Sequence, residues 1–197
     1  MLFRSEQVFR VVVDRDTHTD NILLIDRWGK YRDRFKWDDP YDMKRFTQVA
    51  QSVISETEPP MDATVRTRNA MAGTKPDNWD TVPWIRDFFL TTSNGNEIYS
   101  RELTGETWIG NFFFTSCPGV CIEQSNYLAG LQERLKQHPA KIVSITTDPQ
   151  TDTPQVLSEY ARKRGAQPDQ WLFATVGEDS LTKRISSEFF QIGRAHV

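Results

Sequence analysis

Three short, almost wholly apolar runs constrain this chain more than anything else in it. They are TWIGNFFF at 107–114, KIVSITT at 141–147 and WLFATVG at 171–177. An unbroken apolar run of this length, bounded by glycine or proline, reads as a strand buried on both faces. Each is followed by a segment of helical period. Leu128, Leu131 and Leu135 share one face of the first segment, which ends near His138-Pro139. Val156, Leu157, Tyr160 and Ala161 share a face of the second, and Leu181, Ile185 and Phe189 a face of the third. Thr153-Pro154 supplies an N-cap with proline at the first helical position, and Gly165 a stop. Strands alternating with helices predict an α/β fold on a largely parallel sheet flanked by helices.

The earlier part of the chain has a different rhythm. Asn94-Gly95 marks a hairpin between extended segments. NILLID and KYRDRF are strand-like runs separated by Trp28-Gly29, and Asp39-Pro40 then opens a helix with Met43, Phe46, Ala50, Val53 and Ile54 on one face. Residues 56–82 are polar, include Pro59-Pro60 and keep no period, so they read as a linker. The last six residues, IGRAHV at 192–197, read as a non-native tail derived from a sequencing adapter.

A net charge of −3 supplies no basic field for nucleic acid. No window approaches the roughly 18 apolar residues of a membrane span, so a membrane tether is not visible. The two cysteines, Cys117 and Cys121, are too few for a disulfide framework or a four-ligand zinc site, but enough for one local site.

Those cysteines follow the first apolar run and bracket Pro118-Gly119, where a helix begins. In open α/β sheets ligands bind at the C-terminal edge of the strands, and a helix N-terminus favours thiolate over thiol. The plain alternative is two cysteines packed as small hydrophobes. Three intervening residues place the sulfurs about one helical turn apart, where a thioredoxin-type redox motif keeps two. That spacing suits two thiolates converging on one soft ion such as copper. Asp148 and Asp152, in TTDPQTDTP, are expected to fix the turn ahead of the next helix by side chain-to-backbone bonds and not to bind metal.

FFFTSCPGVC, followed by VSITTDPQTDTPQVLSEYARKRG, resembles the Sco/SenC family of copper metallochaperones from about Trp84 to Gln191, with Ile122 where the family usually has a second proline. The resemblance implies a thioredoxin-like sheet, a copper ion held by Cys117, Cys121 and a histidine late in the domain, and delivery to an oxidase subunit during assembly of the cytochrome c oxidase copper centre. It also implies a periplasmic or other extracytoplasmic, membrane-associated setting. After Cys121 the chain offers His138, whose place at a helix C-terminus has an ordinary electrostatic explanation, and His196 in the suspected tail. The segment that resembles the family's C-terminal piece lies at the other end, with His18 at the ligand position, LLID as the strand and Trp28-Gly29 as the turn.

Read this way, residues 1–55 are the C-terminal piece of one Sco-like domain, 56–82 a linker and 83–191 the N-terminal piece of a second. A flexible linker of this length has an end-to-end distance of roughly 30 Å, so the N-terminal hairpin and helix can complete the later piece as a circular permutant. That arrangement brings His18 to the two thiols. The competing function is a thiol-disulfide oxidoreductase, an enzyme that would use the same cysteine pair with thiol redox partners. Copper binding needs His18; disulfide exchange needs only the sulfurs.

Overall fold

A computed structural model describes residues 21–58 and 88–177, together with Thr182, Arg184 and Ile185. His18, most of the expected linker, most of the third helical segment and the 192–197 tail lie outside the described residues. In chain order the elements are β1 (Asn21–Ile25), β2 (Tyr31–Lys36), α1 (Pro40–Ser55), β3 (Phe89–Thr92) and β4 (Glu97–Tyr99). A short 3₁₀ turn (Ser100–Leu103), β5 (Thr107–Phe113), α2 (Val120–Leu135), β6 (Ala140–Thr146), α3 (Pro154–Lys163) and β7 (Trp171–Thr175) follow.

The strands form one sheet in the order β2-β1-β5-β6-β7-β3-β4. Only its centre is parallel: β5 runs alongside β6, and β6 alongside β7. The hairpins β1–β2 and β3–β4 flank it antiparallel, so the sheet is mixed where the strand–helix alternation alone predicts a largely parallel one. The reason lies in the connections: a parallel neighbour requires a crossover, and the hairpins are too short to contain one. Every residue of β5 is buried, as its apolar run demands of a central strand.

Alternate side chains divide the core into two layers. Ile22, Leu24, Ile109, Phe113, Ile142 and Phe173 face the helices, where Phe46, Ala50 and Val53 of α1, Leu128, Leu131 and Leu135 of α2, and Leu157 of α3 cover them. Leu23, Ile25, Trp108, Phe112, Val143 and Ile145 face the opposite side, against Phe88, Leu103, Val176 and Ile185. A shift of β1 by one residue would move its entire set to the other layer, so its register is strongly specified.

Local chemistry accounts for the ends of the elements. The Asp39 carboxylate accepts from the amides of Tyr41 (2.8 Å) and Asp42 (3.1 Å), with Pro40 at the first helical position. Thr153 Oγ1 accepts from the Val156 amide at 3.4 Å and does the same for α3. The two hairpins share one turn design. Gly29 (φ 74°) donates to the Asp26 carbonyl, Gly95 (φ 82°) donates to the Thr92 carbonyl, and in each the left-handed glycine completes a three-residue loop.

Candidate metal centre

Strand β5 ends at Phe113, and a turn through Thr115 and Ser116 carries the chain to Cys117 before α2 begins at Val120. Cys117 therefore sits in the loop and Cys121 in the first helical turn, at the C-terminal edge of the parallel strands. Neither is in a disulfide. They are 4% and 1% exposed and join the helix-side core with Phe114, Leu128, Leu157 and Tyr160. The cover is thin, because Ser116, Pro118 and Val120 around them are exposed.

The Cys121 amide donates to Cys117 Sγ at 3.4 Å, so the first turn of the helix points a donor at the neighbouring sulfur. That bond ties the loop sulfur to the start of the helix that carries the second one.

Neutral and charged hydrogen bonds hold this loop from three directions. Asp152, fully buried, accepts from the Thr115 amide at 3.0 Å, from the Thr115 hydroxyl, and from Thr146 Oγ1 at 2.5 Å. Thr146 Oγ1 in turn accepts from the Asp148 amide at 3.0 Å. Asp152 thus fixes the cysteine loop as much as its own turn, where local side chain-to-backbone bonding is the sequence expectation. From α3, the Tyr160 hydroxyl lies 3.2 Å from Ser125 Oγ, which donates to the Cys121 carbonyl at 2.7 Å. Burial pushes the Tyr160 phenol above its ordinary pKa, which keeps the proton in place.

Beneath the helix a buried chain of four side chains crosses the sheet. The Trp171 indole donates to Ser144 Oγ (2.9 Å), Ser144 to Asn111 Oδ1 (2.6 Å), and Asn111 Nδ2 to Gln124 Oε1 (2.9 Å). Gln124 stands one turn along α2 from Cys121, so this chain sets how the helix start lies on β5.

Periodicity leaves Ser125, Asn111 and Gln124 unremarked and takes Tyr160 only as part of an apolar face. The only sequence signal is Ser125 four residues after Cys121, a helical neighbour.

Among the described residues no group of three His, Cys, Asp or Glu side chains could hold a metal ion. The two thiols are together; His18 lies outside the described residues. His138 is exposed just past α2, at the end of that helix remote from the cysteines. A helix of 16 residues spans roughly 24 Å, which removes His138 from the thiols. The register of β1 is informative here. Ile22 pairs with Asn111 and Ile25 with Trp108, so the start of β1 lies toward the end of β5 that leads to Cys117.

A family model described as SCO1/SenC matches residues 78–195, more than half of the chain. The chain belongs to the SCO1/SenC family. The SCO1 protein homolog of Bacillus subtilis is 29% identical over 118 residues, 59% of each chain. A SCO2-like protein of Rickettsia felis is 42% identical over 85 residues, 42% of each. The chain thus spans about three-fifths or less of the length of these relatives.

Two solved structures share the fold. A SCO1/SenC family lipoprotein from Bacillus anthracis has a TM-score of 0.52 at 26% identity, covering 55% of this chain and 66% of that one. BsSco, described as a member of the Sco family of cytochrome c oxidase assembly proteins with a disulfide switch, has a TM-score of 0.50 at 26% identity, covering 55% and 64%. The thioredoxin-like α/β sheet expected from sequence is thus the fold of the family. No helix among the described residues is long and apolar enough to cross a membrane.

Proposed function

We propose that the chain is a copper metallochaperone that holds its cargo ion with the thiolates of Cys117 and Cys121 and the imidazole of His18, and delivers it during assembly of the cytochrome c oxidase copper centre. The observation that carries this reading is the paired thiols at the start of α2, with the Cys121 amide 3.4 Å from Cys117 Sγ. Two thiolates and an imidazole form a soft donor set that suits copper and disfavours hard cations. Uptake displaces the thiol protons, so affinity rises with pH until both sulfurs are deprotonated. Delivery then requires only ligand exchange with a recipient whose donors replace these three.

The ligand role proposed for His18 is supported by the register of β1. Asn21 lies one position beyond the Ile22–Asn111 pair toward the cysteine edge, and His18 is three residues upstream of it. Three extended residues reach roughly 10 Å. The pairing of β1 with β5 also supports reading residues 1–55 and 83–191 as two pieces of Sco-like domains, docked in one chain as a circular permutant across the 56–82 linker. An extracytoplasmic, membrane-associated setting fits the lipoprotein relative from Bacillus anthracis.

The experiment is titration of the reduced chain with Cu(I) against a competing chelator. One ion per chain is expected. Cys117→Ser and Cys121→Ser should abolish tight binding, and His18→Ala should weaken it at least tenfold while disulfide exchange persists. Binding in His18→Ala equal to that of the parent would remove His18 from the ligand set. Thiol exchange with no copper retention in the parent would favour the oxidoreductase, for which the disulfide switch described for BsSco is a precedent.

A further inference from the structure

We propose that Tyr160, acting through Ser125, is a positioning residue for the cysteine pair. This deepens the copper reading, and its relevance to cargo binding rests on that reading.

Ser125 has one hydroxyl proton, and it is committed to the Cys121 carbonyl at 2.7 Å. At 3.2 Å from the same oxygen, Tyr160 must therefore donate. The result is a directed relay from the Tyr160 hydroxyl to Ser125 and on to the carbonyl of Cys121. On the other side of the Cys121 α-carbon its amide donates to Cys117 Sγ at 3.4 Å. Residue 121 is held at its carbonyl while its N–H is aimed at the neighbouring sulfur.

Serine in a helix finds the carbonyl four residues back unaided. Phenylalanine at 160 would equally well supply the ring that packs against Phe113 (centroids 5.3 Å apart) and Phe173 (5.8 Å). The hydroxyl is what neither packing nor helix formation requires, and burying it is unfavourable unless it is bonded. Ser125 and Tyr160 are 2% and 8% exposed, so the relay operates in a low dielectric where each link strengthens the next. Together with Asp152, which grips Thr115 ahead of Cys117, it gives the segment running from β6 through α3 one hold on each side of the cysteine pair.

The test is the reduction potential of the Cys117–Cys121 pair, set against a glutathione buffer without copper. On oxidation the two thiols lose two protons and two electrons as the S–S bond forms, and glutathione disulfide accepts them to become two thiols. The relay supports the reduced form by orienting the Cys121 amide. Tyr160→Phe and Ser125→Ala should each move the equilibrium toward the disulfide by about threefold to tenfold, the worth of one hydrogen bond, or about 15–30 mV more negative.

Because both variants break the same relay, the double variant should add nothing beyond the larger single effect. Ser125→Thr, which keeps the hydroxyl, should match the parent. A fall in melting temperature with an unchanged potential in both single variants would overturn the proposal, as would additive shifts. If Tyr160→Phe does not fold, the potential of Ser125→Ala decides alone. Failure of the parent to take up Cu(I) would defeat the copper reading while leaving the potential test standing.

Discussion

The sheet is held at its two ends by different chemistry. At the N-terminal hairpin and α1 the side-chain links are mostly ion pairs near water, with the Asp26 carboxylate the buried exception. Arg32 bridges Glu56 at 2.5 Å and Asp26 at 3.3 Å, Arg45 pairs with Asp33 and with Asp42, and Arg27 donates to the Ile54 carbonyl at 2.7 Å. The Arg32, Glu56 and Arg45 side chains keep 20%, 25% and 36% of their surface. At the cysteine edge the links are buried: Asp152 with Thr115 and Thr146, Tyr160 with Ser125, and the Trp171–Ser144–Asn111–Gln124 chain. Exposed pairs are weak, screened by salt and tolerant of loss; buried networks fail when one member is removed. The hairpin can therefore vary at its surface, whereas the thiol edge depends on particular residues.

Core truncation tests whether the two regions are one cooperative unit. Phe35→Ala in β2 and Phe113→Ala in β5 remove rings from the same helix-side cluster. Each should cost about 3–5 kcal/mol in urea unfolding followed by far-UV circular dichroism. If Phe35→Ala instead produced a separate early transition, with the Phe113 core unaffected, the hairpin would be an appendage.

Asp152→Ala should rank next, at about 1–3 kcal/mol, because it leaves the buried Thr146 hydroxyl and the Thr115 amide without their acceptor. Alkylation of Cys117 should accelerate in the same variant as its loop loosens. Loss of stability with unchanged alkylation would show that Asp152 braces α3 alone.

The smallest effects belong to the ion pairs. Glu56→Gln, which removes the partly exposed Arg32–Glu56 pair and leaves Arg32 beside the buried Asp26, should cost about 0.2–1 kcal/mol, and less at high salt. The hydrogen bond from Arg32 holds the Glu56 carboxyl below its ordinary pKa. A lowered folded-state pKa gives stability that is fully present above the unfolded value, about 4.3, and is lost as pH falls through the folded value. The difference between parent and Glu56→Gln should therefore narrow on acidification below about pH 4 and stay flat from pH 5 to 8. A difference that widened in acid would contradict the sign.

What the sequence discloses divides in the same way. The buried strands, the Asp39 and Thr153 caps, the glycine turns and the cysteine pair are local signals, written in neighbouring residues. Strand order is not local. Nothing within NILLID specifies β5 as its partner, although its two-faced burial demands a place inside a sheet. The polar contacts of the site were hidden for the same reason: Asp152 meets Thr115 across 37 residues, and Tyr160 meets Ser125 across 35. A helical-period reading also counts Tyr160 as apolar, which captures its ring and misses its hydroxyl.

X-ray absorption at the copper edge of the loaded chain, compared with loaded His18→Ala, reads the donor atoms themselves. Two sulfur scatterers and one imidazole nitrogen are expected in the parent, with the imidazole signal lost in the variant. A copper ion bound by sulfur alone in both, or by neither Cys117 nor Cys121, would contradict a centre assembled from the two ends of this chain.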